Sequence, residues 1–152
     1  MNKHFFLILT TLAFLSFNMK GQTKFIERCK WGTSGFHAGY KSFCKVTSSR
    51  VLGWTRVIAY NRTLPELYAM ALSSGKNLGV SKILFEIKEP QKLSAKYCFE
   101  LHTPPDLIRE MFPIMVQILD NQHPEYISSL IERDGKTVLL ITDNLGYDII
   151  PK

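Results

Sequence analysis

The 152-residue chain has only three cysteines and no C-x-x-C pair. That excludes a Cys-dense miniprotein and the low-pKa dithiol of redox catalysts. Apolar runs are also scarce. The longest, Phe5 to Phe17, covers 13 residues, against the roughly 20 that a membrane-spanning helix needs. A multi-pass membrane protein is thereby excluded. With 9 Gly and 7 Pro, the composition fits neither a collagen-like fibre nor a coiled coil. What is present, 45% hydrophobic and 21% charged residues, suits one globular domain and is too apolar for a disordered chain.

Catalytic signatures are equally sparse. No H-x-x-x-H occurs, and Cys29, His37 and Cys44 would supply three zinc ligands without an evident fourth. Gly32-Thr-Ser-Gly35 fails the spacing of a G-x-S-x-G nucleophile elbow. No glycine loop stands ready for phosphate, and no cofactor is implied. Glu86 and Glu100 are the acids set well inside predicted strands, where a solvent-facing position accounts for them. His102 and His123 read as surface residues. Asn61-Arg-Thr63 matches a glycosylation acceptor, but Thr63 is better explained as a helix cap.

Residues 1–21 have the layout of a secretory signal peptide. Lys3 and His4 form a basic start, the apolar run follows, and polar chain begins at Asn18. A retained anchor is the alternative, and the shortness of the run argues for cleavage. Cutting after Gly21 leaves a small residue at the last position, although Met19 fits poorly two residues earlier. No Cys follows the run to carry a lipid. The expectation is a periplasmic or secreted protein with no stable membrane span after cleavage.

Removing Lys3 and Lys20 lowers the formal charge from +6 to +4. Residues 23–50 carry six basic side chains against Glu27, whereas residues 51–152 carry 11 basic and 12 acidic ones. The positive excess is thus confined to an N-terminal segment, 22–50. Outside the cytoplasm nucleic acid is not the expected partner; an anionic surface or acidic ligand is one reading, and a solvated basic face is the other. Three cysteines in an exported chain allow one disulfide. Pairing Cys29 with Cys44 would close a loop of about 15 residues, worth on the order of 3 kcal/mol, and leave Cys98 as a buried thiol in an apolar strand.

From residue 51 onward the local signals describe one α+β domain, 51–152. Thr55 to Tyr60 reads as a strand. Thr63-Leu-Pro-Glu66 then opens a helix over 64–74 with a capping box, and Gly75 is placed to end it. Lys82–Lys88 and Ala95–Leu101 read as strands, the second with Lys96, Cys98 and Glu100 on one face. Thr103-Pro-Pro-Asp106 repeats the helix-opening syntax, and Pro113 should kink or divide the helix it begins. Asp134-Gly135 joins Tyr126–Arg133 to Lys136–Thr142 as a hairpin. The order is β-α-β-β-α-β-β, split β-α-β units with two helices packed on one face of a mainly antiparallel sheet.

The candidate binding residues are Trp31, Phe36, His37, Tyr40, Lys41 and Phe43, aromatic and basic groups between Cys29 and Cys44. They could form a binding loop, or the rings could fill the domain's own core. An open sheet edge accepting a partner's extended segment is a further route.

Residues 51–143 resemble a family of exported bacterial domains of unknown function from soil and environmental Gram-negative bacteria. The resemblance is carried by Arg56-Val-Ile-Ala-Tyr-Asn-Arg-Thr-Leu-Pro-Glu-Leu, Tyr97-Cys-Phe-Glu, Asp106-Leu-Ile-Arg-Glu-Met and the Tyr126–Thr142 hairpin. The chain departs from the family at Ala69-Met-Ala-Leu, where an aromatic-Gly pair usually ends the first helix. The family is similar in layout to the short N-terminal domain of secretins and TonB-dependent receptors, a protein-interaction module. No catalytic residues carry over. The resemblance and the motif search together imply a non-enzymatic module binding an envelope protein or peptide. The alternatives are an envelope hydrolase or redox accessory using Cys98, and a carbohydrate or anionic-surface binder acting through residues 24–45.

Overall fold

Strand β3 (Thr55–Thr63) buries Thr55, Val57 and Ala59 and leaves Arg56, Ile58 and Tyr60 half-exposed. This is the period of a strand with one face on a core. β5 (Lys96–Thr103) alternates the same way from Phe99 onward, burying Phe99, Leu101 and Thr103, with Cys98 buried before them. The computed structural model describes residues 24–49, 51, 53–74 and 82–146. The expected signal peptide and the Gly75 cap lie outside the described residues.

β1 (Lys30–Gly35) and β2 (Phe43–Ser48) flank this pair in an antiparallel sheet of order β1-β5-β3-β2. The basic aromatic segment is therefore not an appendage. It supplies two of the four strands of the sheet that holds β3 and β5. The expected Cys29–Cys44 disulfide is overturned by the same topology. Cys29 immediately precedes β1 and Cys44 lies in β2, on opposite edges of the sheet. Three strand spacings of about 4.8 Å separate those edges, beyond the ~7 Å that a bridge tolerates between Cα atoms. Cys29, Cys44 and Cys98 are all free thiols.

Helix α1 (Leu64–Leu72) begins as the sequence implies. The Glu66 carboxylate accepts from the Thr63 N–H at 2.8 Å, and Pro65 sits in the first turn. The helix stops two residues short of its expected end, and Ser74 takes the left-handed conformation (φ 55). The second helix divides as expected, but ahead of Pro113. Residues Pro105–Glu110 form a 3-10 helix, and α2 runs Met111–Gln122. Pro113 thus falls in the first turn of α2, where its missing N–H has no helical partner to lose.

A second sheet has the order β4-β7-β6, where β4 is Lys82–Glu86, β6 is Tyr126–Arg133 and β7 is Lys136–Asp143. β4 runs parallel to β7, and the β6–β7 hairpin turns through Asp134 and Gly135, both at positive φ. The fold is α+β with the anticipated element order, but its strands divide between two sheets. The reason is that β5 is already paired on both sides, by β1 and β3, leaving β4 no edge there. One apolar cluster joins Val57, Phe99 and Leu101, residues of both helices, and Leu139 and Ile141 of β7. α1 touches both β3 and β6. Among the described residues no helix or second sheet packs on the other face of the four-stranded sheet.

Candidate functional site

Strand alternation decides what stands on that open face. On β5 it is Cys98, Glu100 and His102; on β3 it is Arg56, Ile58 and Tyr60. β1 adds Lys30, Gly32 and Ser34, and β2 adds Phe43, Lys45 and Thr47. A groove of about 440 Å³ crosses the face, lined by Lys30, Ser34, His37, Tyr40, Tyr60 and Glu100 among others. A second hollow of about 440 Å³ continues it past His102 and Arg56 toward Trp54.

Glu100 occupies the middle of the groove. Its Oε1 accepts a hydrogen bond from the Tyr60 hydroxyl, and its Oε2 is paired with the Arg56 guanidinium at 2.7 Å. His102 Nε2 lies 3.8 Å from the same Oε2. Partial burial works against this carboxylate. The hydrogen bonds from Tyr60 and Arg56 and the positive groups beside it outweigh burial and hold its pKa below the ordinary value. The bond to Glu100, seconded by burial, pushes the Tyr60 phenol up. At neutral pH the pair is thus a carboxylate and a neutral phenol, both oxygens of the acid engaged. With both oxygens engaged and its pKa lowered, the carboxylate is a poor proton acceptor.

A loop closes one end of the groove, and Asn61 holds it. Asn61 is buried at a bulge of β3 with φ 51. Its Nδ2 donates to the carbonyls of His37 and Tyr40, each at 2.7 Å, and its Oδ1 accepts from the His37 N–H at 2.9 Å. A glycan on that buried nitrogen would replace one of the two N–H donors that hold the loop, so the acceptor-like triplet serves the fold. Cys98 donates to the same Oδ1 at 3.7 Å. The loop sets the His37 ring on Tyr40 at 4.9 Å, Tyr40 on Tyr60 at 4.6 Å, and Phe43 edge-on to Tyr60 at 5.0 Å.

Of the residues singled out in the sequence, His37, Tyr40 and Phe43 are brought together, through Tyr60. Trp31 flanks the groove from the edge strand, 42% exposed. Phe36 lies outside it, with Lys96 Nζ 6.0 Å from its ring centre, and Lys41 is exposed in the loop. The rings do not fill the core. Cys29 is buried away from the groove; burial raises its thiol pKa, more than the Thr103 hydrogen bond lowers it. Glu86 is exposed on β4 in the other sheet. Sequence reasoning missed Arg56, Tyr60, Asn61 and His102 as site members and set Glu100 aside. Its available signal was the i, i+2, i+4 run of Arg56, Ile58 and Tyr60, an outward face carrying an apolar and an aromatic side chain beside a cation.

Among the described residues no group of three or more His, Cys, Asp or Glu side chains is placed to hold a metal ion. Likewise no described helix is long and apolar enough to cross a membrane. Comparisons with protein-family models, curated proteins and solved structures find no match to this chain.

Proposed function

We propose that the mature chain is an exported, non-enzymatic module of the bacterial cell envelope that binds a protein or peptide. Export is inferred from the leader-like residues 1–21. The binding surface is the open face of the four-stranded sheet. The observation that carries this reading is the face itself, where Tyr40 and Phe43 stay exposed beside the Tyr60–Glu100–Arg56 cluster, with Trp31 exposed at the β1 edge of the groove. Exposed rings on a rigid support are the usual anchors of an interface. All six residues of β1 are exposed, as are all of β2 but Thr47, so both edges can take an added strand.

The test is a random nonapeptide array probed with the purified protein, followed by titration of selected sequences. Micromolar binding that Tyr40→Ala weakens about tenfold supports the reading. No binder in the array, or binders indifferent to Tyr40 and Trp31, would overturn it.

A further inference from the structure

Register places Lys30, His102, Arg56 and Thr47 in a single row across all four strands. Lys30 stands directly opposite His102, His102 opposite Arg56, and Arg56 opposite Thr47. Basic groups directly opposite one another in a sheet repel when charged and lower its stability. Glu100 is the one acid on this face among the described residues, and both of its oxygens are already engaged. It cannot neutralise the whole row.

The row also lies in a hollow. Lys30, Thr47, Ser48, Trp54, Arg56 and His102 line a space of about 440 Å³. Lys30 Nζ is held 5.9 Å from the centre of the Trp54 ring, which limits where that charge can go. Lys30 and Arg56 are two strand spacings apart, about 9–10 Å, with the half-exposed His102 ring between them. A planar anion above that ring is within reach of both cations and of the Thr47 hydroxyl, which stands opposite Arg56 on the same face.

Building on the peptide-binding reading, we propose that this row is a carboxylate pocket for an acidic side chain or the terminal carboxylate of the bound peptide. Tyr40, Tyr60 and Phe43 then grip apolar residues further along the groove. The pocket supplies a charge requirement, and the rings supply contact area.

The probe is sodium acetate, titrated into the isotopically labelled protein at constant ionic strength held with sodium chloride. Saturable amide shifts at Lys30, Arg56 and His102 are expected with acetate and absent with chloride. Lys30→Gln should weaken acetate binding about tenfold, while Lys45→Gln, in the next row, leaves it within twofold. Equal shifts with chloride, or equal losses in the two variants, would overturn the pocket.

Array-selected peptides then identify the source of the carboxylate. Preference for a central Glu over Gln in an amidated peptide assigns a side chain; preference for a free over an amidated end assigns the terminus. If an uncharged, amidated Gln peptide binds as tightly as either, the pocket is wrong and peptide binding stands. If acetate saturates the row yet no peptide binds, the pocket stands and the peptide reading falls.

Discussion

The Asn61 carboxamide brackets His37, accepting from its N–H at 2.9 Å and donating to its carbonyl at 2.7 Å. One buried side chain thereby imitates a strand partner for a loop that has none. It also carries the left-handed φ of 51 that the bulge requires, a conformation Asn tolerates better than most residues.

Asn61→Ala removes four hydrogen bonds, three to the loop and one from Cys98, and forces alanine into that conformation. The expected loss is about 2–4 kcal/mol, read as a lower urea midpoint with an unchanged slope. Asn61→Gly relieves the backbone and not the bonds, so it should be the milder of the two. Faster amide exchange at His37 and Tyr40 in both variants would locate the damage in the loop. Equal stability of Asn61→Ala and the parent would show that the loop holds itself.

Glu100 makes a definite pH prediction. Its folded-state pKa is lowered by Tyr60 and Arg56 despite burial, so its contribution is present above the ordinary value of 4.5. It is lost as pH falls through the lower folded value. Glu66 behaves alike: burial opposes, and the Thr63 and Arg62 bonds prevail. Tyr60→Phe removes one donor to Glu100 and should move the acid limb of thermal unfolding to higher pH. The raised Tyr60 pKa adds stability below its ordinary value of 10.0 that is lost as pH rises through the folded value, and Tyr60→Phe abolishes that alkaline limb. Acid limbs that superimpose for the two proteins would show that Tyr60 does not hold the carboxylate.

Pro113 tests whether helix context has been read correctly. It is the third residue of α2 and exposed. Pro113→Ala should change stability by less than about 1 kcal/mol, since a first-turn N–H has no helical acceptor and the chain merely regains unfolded-state freedom. A gain of about 3 kcal/mol, the amount expected of a mid-helix proline, would mean that the helix really begins at Pro105.

The elements built by short-range chemistry were legible in the sequence. Thr63 to Glu66 marked the start of α1, Asp134-Gly135 marked the hairpin, and alternation in Tyr97–Leu101 marked β5. What was illegible depended on pairing partners distant in the chain. β1 and β2 carry few β-branched residues, and they form strands because β5 and β3 offer edges to them. The Tyr60–Glu100–Arg56 cluster spans 44 residues at its widest, and only the β3–β5 register brings it together. His37, Tyr40 and Phe43 were found from composition, but the aromatic partner that joins them, Tyr60, sat inside what looked like an ordinary strand.

The cysteines supply the last prediction. With Cys29 and Cys44 on opposite sheet edges, a covalent bridge would require one edge strand to leave the sheet, breaking its pairing with β5 or β3. Intact mass of the purified monomer should therefore correspond to three thiols, and reductant should leave its melting temperature unchanged. A thiol reagent should label the exposed Cys44 within the first phase. Buried Cys29, with its thiol pKa raised by burial, and buried Cys98, bonded to Asn61, should react only as fast as the protein opens. Denaturant should then bring all three to one rate. A mass two daltons lower, with Cys29 and Cys44 recovered in one proteolytic fragment pair, would restore the bridge and require a different edge order in the sheet.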